Sequence, residues 1–215
     1  GLQHEDGHSH ILANTVPNCV SYDPTFAHEV AVIMQEGLRR MVQEQENVFY
    51  YLTLLNENYA MPGLTPGTEE QIIKGMYQCK AGIKVPTTGL RVQLLGSGTI
   101  LRESLFAQEL LLNDWGVAAD VWSCPSFNEL TRDGQDVDRW NLLHPLETSR
   151  QAFVTQQLAG TTGPVIASTD YMKAYAEQIR AYIPKGRIYK VLGTDGFGRS
   201  DFRRKLREHF EIDRH

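Results

Sequence analysis

Apolar residues fall alternately into short β-prone runs and stretches with helical spacing along most of the chain. Residues 16–22 (VPNCVSY) predict a first strand. Asp23-Pro24 then predicts a helix start, with proline in the first turn, where its missing N–H is tolerated. Val30, Ile33, Met34, Leu38 and Met41 continue at helical spacing. Residues 48–54 (VFYYLTL) are continuously β-prone, as in a strand buried on both faces. Residues 60–68 (AMPGLTPGT) hold two prolines and two glycines, which suits a linker between domains.

A second series follows. GMYQC (75–79) reads as a strand and KAGIKVPTTG (80–89) as a turn-rich excursion. Strand 91–96 leads through Gly96-Ser97-Gly98 into helix 99–114, then strand 118–123. Residues 138–143 read as helical. Strand 164–168, helix 170–182, strand 187–192 and helix 200–210 complete the pattern. Strands alternating with helices predict an α/β fold whose mostly parallel sheet is flanked by helices, with right-handed crossovers.

Composition narrows the function classes. The chain has 215 residues, enough for one large or two small domains with a real core. A net charge of −5 gives no general attraction to nucleic acid or an anionic membrane. No apolar run approaches the ~20 residues of a membrane span. Cys19, Cys79 and Cys124 are odd in number and far apart, so they form no disulfide framework or CxxC pair. A reduced, cytoplasmic setting and small buried thiols are expected.

Four places carry candidate chemistry. His4-Glu5-Asp6-Gly7-His8-Ser9-His10 packs three imidazoles and two carboxylates into seven residues, a set suited to proton transfer. Residues 4–8 also match HExxH, which as a zinc-hydrolase site needs His4 and His8 on one helical face. Gly7 inside that helix would cost about 1 kcal/mol against alanine, and the polar context favours a solvated loop. Gly96-Ser97-Gly98 resembles a phosphate-binding turn, but the third glycine of GxGxxG would fall at Leu101, so a tight strand-to-helix turn is the simpler reading. Gly193 to Gly198 offers backbone amides to an anion or a structural corner, with Ser200 or Asp201 as cap of the next helix. Leu55-Asn56-Glu57-Asn58-Tyr59, at a strand end, reads equally as pocket rim or strand terminus. Asp133-Gly134-Gln135-Asp136 and His144-Pro145 read as turns.

GLQHEDGHSH (1–10), NCVSYD (18–23), LNENY (55–59), LLGSGTIL (94–101), DGQDVDRWN (133–141), LHPLE (143–147), ASTDYMK (167–173) and LGTDGFGRSD (192–201) together resemble the homodimeric-type E1 component of pyruvate dehydrogenase. The resemblance covers essentially the whole chain. It implies that residues 1–62 are the end of a middle, pyrimidine-side domain, 63–68 a linker and 69–215 a transketolase-type C-terminal domain, the piece being truncated at both ends. It implies a bacterial, cytoplasmic, thiamin-diphosphate- and Mg²⁺-dependent oxidative decarboxylation of pyruvate in a multienzyme complex. The two-carbon unit is then passed to the lipoyl group of E2, the dihydrolipoyl acetyltransferase, and a second E1 subunit completes a homodimer.

Carried over residue by residue, His4 matches the histidine that contacts the substrate-derived adduct. Asp6 and His10 match the EDGxxH element of the wider transketolase group, and His8 ranks below them. The family's diphosphate and magnesium ligands and its cofactor-activating glutamate match nothing in this chain. No cofactor- or metal-binding residue is therefore expected here, and the fragment alone is expected to be inactive. A non-catalytic assembly or dimerisation module is the alternative.

Overall fold

The computed structural model describes residues 6–83 and 89–215. Helix α1 (Ser9–Asn14) precedes strand β1 (Cys19–Tyr22), helix α2 (Ala27–Leu38) and strand β2 (Phe49–Leu52). β1 and β2 pair in parallel, Cys19 opposite Phe49 and Tyr22 opposite Leu52. Residues 53–68 run without helix or strand to helix α3 (Glu69–Ile73). The remaining strands are β3 (Tyr77–Lys80), β4 (Arg91–Gly96), β5 (Ala118–Ser123), β6 (Val165–Ser168) and β7 (Tyr189–Leu192). They form one sheet in the order β3-β5-β4-β6-β7. Only β3 is antiparallel to its neighbour; the other pairings are parallel. Helices α4 (Ile100–Trp115), α5 (Phe127–Leu143), α6 (Phe153–Ala159), α7 (Ala174–Glu177) and α8 (Arg203–His209) complete the α/β fold.

The central strand β4 carries an unbroken buried run, Val92 to Gly96, because both sheet faces are covered. Phe127, Leu130, Val154, Leu158, Tyr175 and Ile179 close one face. Phe26, Leu101 and Leu111 pack on Val92, Leu94 and Val121 on the other. The two sheets are joined at the end of β1. The Asp23 amide donates to the Pro125 carbonyl at 2.7 Å, and the Gly98 amide donates to the Asp23 carbonyl at 3.0 Å. Ser126 caps α5 by accepting from the Glu129 amide and donates its own proton to the Ser21 carbonyl at 2.7 Å.

Several local expectations change. Of the 4–10 segment, for which a solvated loop is the simpler reading, Ser9 and His10 open helix α1, because the Asp6 carboxylate accepts the amides of His8 (3.1 Å) and Ser9 (3.0 Å) and sets the first turn. α2 starts at Ala27, after Pro24, because buried Glu29 reaches back to the amides of Thr25 (2.5 Å) and Phe26 (3.1 Å). Its buried face is Glu29, Val32, Ile33 and Gly37, which leaves Met34 and Leu38 exposed. β2 is not covered on both faces: Phe49 is exposed and the rest half-buried. Asp133 to Asp136 lies inside α5, since Gly134 lets the Tyr182 ring press on the helix where a Cβ would come within 2.4–2.5 Å. α6 has no counterpart in the predicted elements. α8 starts at Arg203 with no side-chain cap; Asp201 accepts from the Phe202 amide.

Candidate functional site

The carboxyl ends of β1, β4 and β6 converge, which in open α/β sheets is where ligands gather. The polar opening segment is brought to this place. α1 lies against β1, α5 and α7, and the Met172 amide donates to the Gly7 carbonyl at 3.1 Å. Of the residues singled out from sequence, Asp6, His8 and His10 fall here. His4 and Glu5 lie outside the described residues.

His10 is fully buried. Its ring stacks on Tyr175 with centroids 4.8 Å apart and meets Tyr171 edge-on at 4.7 Å and Tyr51 at 5.6 Å. Nε2 lies 2.9 Å from Thr53 Oγ1, while buried Nδ1 meets no hydrogen-bond partner. Burial among these rings pulls the imidazole down to about 4 despite the opposing Asp6 charge, so His10 is neutral near pH 7. Asp6 is held below the usual carboxylate range. Burial works upward, but the Ser9 hydroxyl and the Ser9 and His8 amides outweigh it. Half-buried His8 turns the other way, 6.3 Å from the Phe197 ring. A zinc site of the HExxH kind gains no support: residues 6–8 precede α1, so they offer no helical face.

Asp23 lies beneath this cluster, fully buried at the end of β1. Its Oδ1 accepts from Thr53 Oγ1 (2.8 Å) and its Oδ2 from Ser97 Oγ (2.9 Å). Ser97 also reaches Thr169 Oγ1 at 3.2 Å. Burial, with the Asp170 and Glu29 charges adding to it, pushes the Asp23 carboxyl up to about 7 against the pull of the two hydroxyls. Here the Gly96-Ser97-Gly98 turn finds its purpose. Gly98 sits at φ +51°, and a Cβ there would lie 2.6 Å from Asp23 Oδ2. The turn thus brings a carboxylate, rather than a phosphate, against the start of α4.

A cavity of about 300 Å³ is lined by Asp6, Asp23, Asp170, Tyr171, Thr194, Arg199, Arg203 and Phe210. Asp170 is pushed upward by burial against the pull of Arg207, and accepts from Thr99 Oγ1 at 3.2 Å. The Gly193 to Gly198 loop borders this cavity, and the Gly193 position leaves no room for a Cβ beside the Tyr171 carbonyl (2.7 Å). LNENY supplies part of the rim and ties it to the C-terminal arm. Leu55 lines the cavity, Asn56 accepts from Arg203, and Glu57 pairs with Arg102 (2.8 Å) and Arg207 (3.1 Å). Sequence reasoning did not single out Asp23, Thr53, Asp170, Tyr171, Tyr175 or Arg207. Asp23-Pro24 reads locally as a helix start, and nothing local marks a hydroxyl such as Thr53 as the bridge between a distant acid, Asp23, and a distant base, His10.

No described helix is long and apolar enough to cross a membrane. Among the described residues no group of three or more His, Cys, Asp or Glu side chains is arranged to hold a metal ion.

Residues 1–62 match the family model of the pyruvate dehydrogenase E1 component middle domain, and residues 75–213 match that of the transketolase-like C-terminal domain. Proteins named pyruvate dehydrogenase E1 component from Pseudomonas aeruginosa and Cupriavidus necator are 62% and 60% identical over all 215 residues. The Escherichia coli protein of that name is 58% identical over 214 residues. The chain spans about a quarter (24%, 24% and 23%) of the length of these curated relatives. Among solved structures, the transketolase from Leishmania mexicana superposes over the whole chain with a TM-score of 0.65 at 18% identity, covering 26% of that protein. With two family models matching in tandem and such identity along its full length, the chain belongs to the pyruvate dehydrogenase E1 component family, residues 75–213 forming its transketolase-like C-terminal domain.

Proposed function

We propose that this chain supplies one wall of the active site of a thiamin-diphosphate-dependent pyruvate dehydrogenase E1. The enzyme would decarboxylate pyruvate oxidatively and pass the acetyl unit to the lipoyl group of the E2 acetyltransferase in a cytoplasmic multienzyme complex. The observation that carries the reading is the full-length identity of about 60% to proteins named pyruvate dehydrogenase E1 component. The clustering of Asp6, His8 and His10 at strand carboxyl ends supports it. In this reading His4 is the first catalytic residue, Asp6 and His10 line the pocket, and His8 has a lesser part.

The residues present do not fit a complete thiamin diphosphate–Mg²⁺ site. Of the described carboxylates lining the cavity, Asp23 and Asp170 are both pushed toward the protonated state, which suits them poorly as magnesium ligands, and Asp6 is engaged by Ser9 and the His8 amide. The isolated chain is proposed to be inactive and to bind thiamin diphosphate with Mg²⁺ no tighter than millimolar. Isothermal titration with both decides this, and micromolar binding sinks it. The activity itself is tested by exchanging this chain for the matching segment of the Pseudomonas aeruginosa relative. Pyruvate decarboxylation retained by the hybrid, and lost when His4 or His10 is replaced by alanine, supports the assignment. A hybrid indifferent to both substitutions overturns the assigned roles.

A second reading is an assembly module without catalysis of its own, pairing with a second E1 subunit. Exposed Met34, Leu38 and Val42 along α2 and its extension favour it, because they form an apolar stripe at the helical spacing of a packed face. Light scattering after size exclusion tests it: a dimer supports this reading, a clean monomer removes it.

A further inference from the structure

His10, Thr53 and Asp23 come from three separate elements and meet in one buried line: Nε2 to Oγ1 at 2.9 Å, Oγ1 to Oδ1 at 2.8 Å. Thr53 has a single hydroxyl proton. An ionised carboxylate accepts only, as does the Tyr22 carbonyl at 3.5 Å; the Tyr171 hydroxyl beside Thr53 can itself donate, so the Thr53 proton is claimed by Asp23 Oδ1 at 2.8 Å. The proton therefore points away from His10 and a lone pair faces Nε2. Two lone pairs facing each other at 2.9 Å inside a protein would repel, so Nε2 must carry the hydrogen. We propose that Asp23 is a positioning residue which, through Thr53, holds His10 as the Nε2–H tautomer and leaves Nδ1 as its bare, accepting nitrogen. Nδ1, buried and unpartnered, is then the nitrogen free to receive a hydrogen bond or proton.

The groups facing this line are few. Asp6 faces His10, with the rings of Tyr51, Tyr171 and Tyr175 around it. The Tyr171 hydroxyl faces Thr53 and Asp23, and Ser97, Asp170 and Glu29 face Asp23. When Asp23 takes up a proton on Oδ1 it becomes a donor to Thr53, the hydroxyl can turn to Nε2, and the tautomer is released. Burial holds Asp23 at about 7 and His10 at about 4, so the carboxyl titrates first as pH falls, while the ring is still neutral. The inference deepens the reading of His10 as a pocket residue. Its test needs no substrate or cofactor, so its failure is separate from failure of the hybrid enzyme.

The test is nitrogen NMR of the chain labelled with ¹⁵N-histidine, with His10 assigned by the signals lost in His10→Gln. Above about pH 8, Nε2 is expected to be pyrrole-like and Nδ1 pyridine-like. Both signals should then step with a midpoint near 7, the value for Asp23. Asp23→Asn and Thr53→Val should abolish the step, while Thr53→Ser, which keeps the hydroxyl, should retain it. A protonated Nδ1 at alkaline pH overturns the proposal, as does a step that survives Asp23→Asn. If Asp23→Asn fails to fold, the Thr53→Val and Thr53→Ser pair decides: equal behaviour of the two overturns it.

Discussion

Replacing Asp23 by asparagine should change the slope of stability against pH. Folding lifts the Asp23 carboxyl from 3.8 to about 7. Between those values the unfolded chain has lost the proton and the folded chain keeps it. Stability from this group is complete below 3.8 and is lost as pH rises through 7, at about 1.4 kcal/mol per pH unit and about 4 kcal/mol in all. His10 works the other way. Folding depresses it from 6.5 to about 4. Its contribution is complete above 6.5 and is lost as pH falls toward 4, about 3 kcal/mol in all. Over their common range the two slopes oppose and nearly cancel, so the pair leaves the native protein almost flat there. Asp23→Asn removes one slope and exposes the other: the variant should lose about 1.4 kcal/mol, relative to the native protein, for each pH unit of acidification below 6.5. His10→Gln should show the mirror image, gaining relative stability on acidification. The assay is urea unfolding of all three proteins from about pH 4.5 to 7.5, comparing differences so that other carboxylates drop out. Parallel curves for the native protein and Asp23→Asn would refute the reasoning, whatever their offset.

Three further outcomes follow from the packing. Gly98→Ala should destabilise by about 2 kcal/mol or more in the same assay, because the left-handed backbone (φ +51°) and a Cβ contact of 2.6 Å with Asp23 combine. Arg207→Met should cost about 2 kcal/mol. Its half-buried guanidinium joins Glu57, Glu103 and Thr99, and its loss should show as faster amide exchange in α8 than elsewhere. The three thiols should react with a thiol reagent only on unfolding. Burial pushes Cys79 up to about 12 and raises Cys19 and Cys124, so a fast-reacting thiol in the folded chain would contradict the packing.

The parallel sheet was legible because strands buried on both faces need long apolar runs. RVQLLG and AADVWS match β4 and β5 residue for residue. What failed was set by contacts distant in sequence. α2 turns its Val32–Ile33 edge inward rather than the Met34–Leu38 stripe, because Glu29 is fixed by the Tyr77 and Ser123 hydroxyls, 48 and 94 residues away. Gly134 looks like a turn residue until Tyr182 arrives from 48 residues downstream to occupy the space a side chain would need. α6 carries no side-chain cap that a local reading would detect.

The site divides along the same line. The EDGHSH segment stands out by its density of ionisable groups, so Asp6, His8 and His10 could be picked from sequence. What the segment does depends on its surroundings. Beside a solvent-exposed acid His10 would be a protonated, pH-sensing base. Enclosed by three tyrosines and bonded to Thr53, it is a neutral ring with one defined acceptor. Its partner carboxylate, Asp23, sits in a dipeptide whose obvious local reading is a helix start, and its meaning comes from Thr53, 30 residues on, and Ser97, 74 residues on. Gly98, in a turn whose dinucleotide fingerprint fails at Leu101, makes room for that carboxylate. The chemistry of the opening segment is therefore set less by its own residues than by the hydroxyls that reach it across the fold, and substitutions at Thr53 should test it more sharply than substitutions at His8, which faces Phe197 and takes no part in the line.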